Sequence, residues 1–394
     1  MIIDALILLV YFLEIILLNI QEFKLHKSLL NPLFIISFPF TIVLLICLLF
    51  NKTMNFVPFY IPSLRIWIYG LFFFWLSGQI CIKFLKRQNF VTSTQIHNKL
   101  PHIVFLICIL VTVLRFNGLG DLDFGSKEMG EEIGMGGIAG RIANLLLICF
   151  PFIISIRLSH VFKIIISAIL IVFLLSLGSK TWLMNGILAA IICLLFRNKI
   201  KLTFKSIGIT AFILFACFYI YYSLNVNIDD SSDLTNFILR HFYFYLTSGI
   251  LPMGEYCRLG SNGFDTNFSI PFLNIIALKL GFGNEVGHSQ LTFITDLIHD
   301  RESNVFTFFG TLYISQSALG FIAYCILLGI WVYSVYFWAN NKKNIFLQIL
   351  SAYNLSILFF SWFNCGFGLL RIWEIALYCI VFYNISKYKM VIKN

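Results

Sequence analysis

The residues best equipped for chemistry crowd into one stretch of the chain. Residues 224–316 carry Asp229, Asp230, Asp233, Arg240, His241, Glu255, Arg258, Asp265, Glu285, His288, Asp296, His299, Asp300, Arg301 and Glu302, in a chain whose other segments are mostly apolar. A connection of that length is usually functional. Within it, Leu234 to Ile250 predicts a helix that is apolar except for Asn236, Arg240, Tyr243 and Thr247. Those four recur every three or four residues and so share one stripe. On a helix lying at a membrane interface the stripe would turn toward water or a substrate headgroup; alternatively Arg240 snorkels at the surface. Pro252, Gly254, Gly260 and Gly263 predict irregular backbone after it. Ser289 to Ile298 predicts a second helix leading into Asp296, His299, Asp300 and Glu302. Oxygen and imidazole ligands that close could hold a divalent cation, although acids at this spacing are also common on solvated helix ends.

Smaller groups of polar residues lie elsewhere. Asn117 to Arg141 is glycine-rich and acidic, and glycines leading into a helix can offer backbone N–H groups to a phosphate. No strand precedes them, so neither a P-loop nor a dinucleotide fingerprint applies, and a solvated loop is the competing reading. Arg141 at its end could meet an anionic headgroup, and Gly178-Ser179-Lys180 makes a short basic turn. Asp4 sits one turn from a surface. Glu374 follows Arg371 by three residues and could pair with it. Glu14 falls in mid-span, where a carboxylate must face other helices, be neutral, or serve a proton or substrate path.

These residues must be positioned by membrane helices. The 394-residue chain is 59% apolar and only 12% charged, with a mean hydropathy of +0.89, against about a quarter charged in an ordinary soluble domain. A spanning helix needs about 20 apolar residues. Runs over 2–20, 32–50, 66–85, 102–116, 138–156, 163–178, 181–196, 207–223, 317–338, 345–363 and 372–386 predict an all-α polytopic membrane protein of about eleven spans. It forms a single membrane domain with a smaller outer loop over 117–138 and a large one over 224–316 that contains short amphipathic helices.

Charge sets the orientation, because Lys and Arg are retained in the cytoplasm. Lys387, Lys389 and Lys393 place the C-terminal tail inside, and alternation then puts Lys83, Lys86, Arg87, Arg197, Lys199, Lys342 and Lys343 inside with it. Fourteen of the eighteen carboxylates fall outside, between Asp121 and Glu132 or between Asp229 and Glu302. The N-terminus is then outside, and Met1-Ile-Ile-Asp4 lacks the basic region of a cleavable signal. The net charge of +10 is spread over several turns, which suits anionic membrane lipids and gives no reason to expect nucleic acid. Eight of the ten cysteines lie in apolar runs, where thiols behave as small hydrophobes. Cys257 and Cys365 remain as a possible disulfide, since sequence does not fix their separation.

Ser303-Asn304-Val305-Phe306-Thr307-Phe308-Phe309-Gly310-Thr311-Leu312-Tyr313, followed by Gly320 and Gly329, resembles an element of the bacterial O-antigen polymerase (Wzy-type) family. Tyr245-Leu246-Thr247-Ser248-Gly249-Ile250 is similar to a segment of that family's large loop, and Gly178-Ser179-Lys180 stands where these proteins often carry Gly-Ser-Arg. The chain departs from the pattern with Lys180 for Arg, Phe306 for Tyr, and Ile314-Ser315-Gln316 in place of an Asp-Phe-Gly-like segment.

The resemblance implies an inner-membrane enzyme with a periplasmic N-terminus and a cytoplasmic C-terminus. It would transfer a growing glycan from undecaprenyl pyrophosphate to a hydroxyl of an incoming lipid-linked repeat unit, with no cofactor or nucleotide sugar. Cations must then hold the departing pyrophosphate, and Arg does so bidentately. Arg141, Lys180, Arg258, Arg301 and Arg371 are the implied substrate-binding cations, with Tyr245 and Asn304 beside them. Arg240 is the implied catalytic cation, and His241 or Glu255 the base for the acceptor hydroxyl. A chain-length regulator is a possible further partner. Two alternatives stay open: an O-antigen ligase of similar fold, whose loop tends to carry His where Ser303 stands, and a flippase for lipid-linked sugars, for which the spans hold few charges.

Overall fold

A computed structural model describes residues 2–87, 103–107, 109–110, 137–156, 159–176, 180–201, 203–225, 231–259, 270–281 and 292–386. The glycine-rich stretch up to residue 136, Gly178, Ser179, Gly260, Gly263 and the acids from Asp229, Asp230, Asp265 and Glu285 lie outside them, as does most of the fourth predicted span. The described residues are mostly helical. In chain order they form α1 (Ile2–His26), α2 (Pro32–Phe50), α3 (Leu64–Lys86), α4 (Gly137–Ser155), α5 (His160–Ser176), α6 (Lys180–Phe196), α7 (Phe204–Asn225), α8 (Ser231–Thr247), α9 (Ile250–Leu259), α10 (Pro271–Lys279), β1 (Phe293–Asp296), β2 (Arg301–Ser303), α11 (Phe308–Ile314), α12 (Ala318–Lys342), α13 (Ile345–Phe359) and α14 (Leu370–Ile385). Four helical segments are long and apolar enough to cross a membrane: Ile2–His26, Pro32–Phe50, Ile61–Lys86 and Ala318–Lys342. Shorter apolar stretches occupy α4, α5, α6 and α13.

The chain divides into two compact units. The first is Met1–Gln88, Thr235–Tyr336 and Ile357–Leu370. In it α1 buries only a stripe, Ile7, Tyr11, Leu18 and Glu22, at the i, i+4, i+7 spacing of one helix face. Polar clasps hold that stripe. Tyr11 and Thr41 share a hydrogen bond of 3.0 Å, and Asn19 Nδ2 donates to Ser37 Oγ at 3.1 Å. The Glu22 carboxylate, fully buried, accepts from Gln79 Nε2 at 3.1 Å and from the Tyr333 hydroxyl, with His26 Nε2 3.0 Å from its other oxygen. A buried carboxylate is tolerable only when donors replace its water. Gly78 makes room for one of them, since a Cβ there would lie 2.2 Å from the Tyr333 ring. The start of α2 is set by Asn31, whose side chain accepts from Phe34 N at 2.8 Å ahead of Pro32 at the first helical position.

The second unit is Asn89–Leu234, Phe337–Ser356 and Arg371–Asn394. Phe105, Phe152, Phe346 and Phe382 form a ring of aromatic contacts with centroids 5.0–5.5 Å apart. One end of this bundle is basic: Lys199 Nζ donates to Ser155 O at 2.8 Å, Arg197 Nη1 to Gln348 Oε1 at 3.3 Å, and Lys342 Nζ to the Tyr383 hydroxyl at 3.0 Å. Lys199 thereby satisfies a carbonyl at the end of α4, where the helix dipole is negative. Toward the other end Asn144 Nδ2 donates to Glu374, and Arg371 covers the Trp182 ring.

Two local expectations fail. Residues 293–296 are a strand, where the sequence predicts helix. β1 pairs antiparallel with β2 in the register Phe293↔Ser303, Ile294↔Glu302 and Asp296↔Arg301. The run Thr292-Phe-Ile-Thr295 favours extended chain, and the turn closes through Asp300 at φ 46°, a left-handed conformation that Asp tolerates. Pro252 and Gly254 sit within α9, where irregular backbone is expected. Pro252 is its third residue, where no amide donor is required.

Candidate functional site

A buried polar spot in the first unit forms where α8, the β1–β2 hairpin and the segment after α2 meet. Val57 N donates to Thr295 O at 3.2 Å and Leu297 N to Asn55 O at 3.0 Å, so residues 55–57 run along β1. That pairing fixes Asp296. Its carboxylate is fully buried, accepts Arg240 Nη2 at 2.8 Å and Nε at 3.3 Å, and caps the turn by accepting Ile298 N at 3.1 Å and His299 N at 3.3 Å. Arg301 Nε lies 3.9 Å from its other oxygen. Burial alone would raise the Asp296 pKa, but Arg240 and the two amides outweigh it and hold the carboxyl below its ordinary value.

Two guanidinium groups therefore share one carboxylate, leaving one positive charge in excess. Both keep an exposed edge, with about a quarter of the Arg240 side chain and a fifth of Arg301 reachable by solvent. Aromatic rings back them. Arg240 lies 5.6 Å from the Phe56 centroid, and Arg301 5.5 Å from Phe237 and 5.8 Å from Phe244. Such rings orient a guanidinium and attract its charge. Among the described residues, Arg240 Nη1 and Arg301 Nη2 have no hydrogen-bond acceptor, so each fork keeps N–H groups for an anion.

His241 completes the arrangement. Its Nδ1 is 2.9 Å from Arg301 Nη1; because a guanidinium can only donate, Nδ1 is the acceptor and the neutral ring carries its proton on Nε2. Its ring is stacked with Phe237 at 5.2 Å and meets Tyr245 edge-on at 5.0 Å. With its Nδ1 lone pair committed, His241 is better placed to hold Arg301 than to take a proton.

Tyr243 and Thr247 of the α8 polar stripe face protein, where the sequence predicts water or a headgroup. Tyr243 is buried and donates to Asn51 Oδ1 at 2.6 Å; Thr247, also buried, donates to Tyr243 O at 3.0 Å. The reason is the chain after α2, where Asn51 accepts the Tyr243 hydroxyl and the Phe56 ring meets Tyr243 edge-on, while Thr247 turns back onto its own helix. Among the described side chains of the stripe, Arg240 keeps an outward edge.

The structure thus brings together Arg240, His241, Tyr245 and Arg301. Glu255 and Arg258 form a separate pair on α9, with Arg258 Nε 3.1 Å from Glu255 Oε2, and α9 packs against β1. Asn304 is exposed just after β2. Arg371 belongs to the second unit, its guanidinium 4.8 Å from the Trp182 centroid. Arg141 lies in α4 and Lys180 opens α6, with their side chains outside the description. Cys257 and Cys365 are free thiols. The motif residues around Asn304 are chiefly structural: the buried Thr307 caps α11 by accepting Gly310 N at 3.0 Å and also accepts Trp67 Nε1 at 3.1 Å. Asp296 is the residue that sequence reasoning placed in another role, as a candidate metal ligand. The aromatic backing was accessible in principle, since Phe237, His241, Phe244 and Tyr245 recur at helical spacing.

The fold and site define a mostly helical chain with membrane-length helices and a cationic, aromatic-backed polar site on a non-spanning hairpin. Residues 55–392 match the model of a family of unknown function, DUF6337, and the chain belongs to that family. No curated protein and no solved structure matches it.

Proposed function

We propose that the chain is an integral-membrane glycosyltransferase that polymerises lipid-linked oligosaccharides, an O-antigen-type polymerase acting at the periplasmic face of a bacterial inner membrane. The observation that carries this reading is the pair Arg240 and Arg301, drawn together by one buried aspartate with one positive charge in excess. Such a pair suits a pyrophosphate that gains charge as its bond to sugar breaks.

In the reaction, the acceptor hydroxyl oxygen attacks the anomeric carbon of the donor glycan. The carbon–oxygen bond to pyrophosphate breaks as the new glycosidic bond forms, and the lipid pyrophosphate leaves with the bonding electrons. Arg240 and Arg301 hold those departing oxygens through their unengaged N–H groups. His241 positions Arg301. Glu255, which would have to part from Arg258 on α9, is the carboxylate assigned to accept the hydroxyl proton. Tyr245 and the exposed Asn304 contact the glycan. About eleven spans, with the acidic segments outside and the basic turns inside, complete the proposed topology.

The test is the lipopolysaccharide ladder on a gel from a host deleted for the gene and complemented with wild type, Arg240→Ala or Arg301→Ala, with membrane levels matched by immunoblot. Polymerase activity predicts core bearing a single repeat unit in the deletion, and a full ladder restored by wild type but by neither variant. Loss of even the single-unit band would move the assignment to a ligase or flippase. An unchanged ladder in the deletion would reject the polysaccharide reading.

A further inference from the structure

The second unit holds a cation, Arg371, that pairs with no carboxylate among its described residues, Glu374 three residues on accepting Asn144. Arg371 is half-buried at the second position of α14. Its guanidinium carries five N–H donors, yet its contact is with the face of Trp182 at 4.8 Å, and no acceptor or carboxylate among the described residues pairs with it. The first turn of a helix is also the positive end of the dipole, with backbone N–H groups lacking partners in the helix. A cation is disfavoured there unless something negative joins it.

A second observation lies beneath Arg371. Trp182 and Asn185, three apart on α6, share a face. Asn185 is only 4% exposed and its Oδ1 has no partner; Asn354 of α13 is 1% exposed with neither amide atom partnered. Asn144 and Glu374, bonded to each other, are also buried. Counted from the helix ends, these four lie about 6–11 Å in, at the rise of an α-helix. The bonds at the basic end of this unit, Arg197 to Gln348 and Lys342 to Tyr383, put all four near the opposite end, below Arg371. An amide oxygen at Asn185 and a whole carboxamide at Asn354 left without partners in an apolar bundle cost free energy, and a phosphate would take the N–H end of such an amide, which turning the side chain over brings forward.

We propose that this end of the second unit is a lipid-phosphate site: a phosphate group seats on Arg371 and the α14 amides, with the Asn185 amide beneath it. The acyl or isoprenoid tail follows the apolar helix surfaces. If the proposed function holds, the occupant is the second of the two lipid-linked units that each condensation consumes.

Native mass spectrometry of the full chain, released from micelles containing either undecaprenyl pyrophosphate or phosphatidylglycerol, tests the site. Wild type should retain two undecaprenyl pyrophosphates. Arg371→Gln and Asn185→Asp, on separate helices, should each retain one, with at least about tenfold weaker binding of the second; Arg240→Ala should also retain one. If Arg371→Gln and Asn185→Asp bind as wild type does while Arg240→Ala loses its ligand, the second site is overturned and the functional reading stands. If the pyrophosphate lipid does not bind but phosphatidylglycerol does, and Arg371→Gln releases it, the site stands with a membrane lipid as occupant and the functional reading falls. Two wild-type-like variants with both lipids would overturn the site.

Discussion

Asp296 stabilises by pairing, and its variants should show the difference between pairing and shape. Asp296→Asn keeps the volume and the turn but leaves Arg240 facing a neutral group. Breaking one side of a buried ion pair costs on the order of 3–5 kcal/mol, and the partly exposed guanidinium groups place this case near the lower figure. A lowered melting temperature in detergent, with restoration by no other neutral residue, is the expected outcome. The pH dependence follows from the sign of the shift. Because the folded carboxyl titrates below its unfolded value, its contribution is complete above the ordinary Asp pKa and fades only as pH falls through the lower folded one. Melting temperatures of wild type and Asp296→Asn should therefore stay separated at neutral and mildly acidic pH and converge only in strong acid. At Arg301, Lys keeps the charge but loses the planar fork, so Arg301→Lys should give a short, weak ladder where Arg301→Ala gives none. The two arginines were legible in the sequence because guanidinium groups are scarce in so apolar a chain. Their common partner was not: Arg240 and Asp296 are 56 residues apart, and nothing local to either announces the other.

The elements explain why. Asp296 reaches Arg240 through a hairpin of four and three residues, too short for a periodic signal, and its edge is completed by residues 55–57 from a distant part of the chain. The acids around it sit at spacings that a helix would also use, which is why the sequence favours helix there. Long apolar helices are different, since each carries its own pattern; α2 begins and ends where the sequence predicts. The connection between α8 and α9 depends on Gly249, where a Cβ would lie 2.2 Å from the Trp362 carbonyl oxygen. Gly249→Ala should force that turn off the 357–370 segment and destabilise the protein by about 1–3 kcal/mol, as overpacking does. A drop in the temperature at which the detergent-solubilised protein aggregates would register it, and an unchanged value would mean the turn can yield.

For the whole molecule, composition was enough to read a helical membrane protein, because no soluble core absorbs so much apolar surface. The division into two units was not readable, since each is assembled from three separated stretches of chain. Orientation is open to direct measurement. Leu280, exposed after α10, and Lys343, exposed at the α12–α13 turn, fall on opposite sides in the proposed topology. Leu280→Cys should react with a membrane-impermeant maleimide in intact spheroplasts, and Lys343→Cys only after lysis; the reverse order would invert the topology. Background from the native loop thiol should be low, as burial pushes Cys257 up to about 11 and the thiolate is the reactive form.

The Glu22 clasp bears on how the chain is made. Tyr333, which donates to that carboxylate, follows it by 311 residues, about 15–60 s of synthesis at typical elongation rates. Until then α1 waits in or beside the bilayer with a carboxylate short of a donor, held only by partners that emerge sooner, such as Gln79. Nascent chains arrested before Tyr333 should therefore release α1 to alkaline carbonate more readily than chains arrested after α12. Among the described residues, the last of the four membrane-length helices to be made fastens the first.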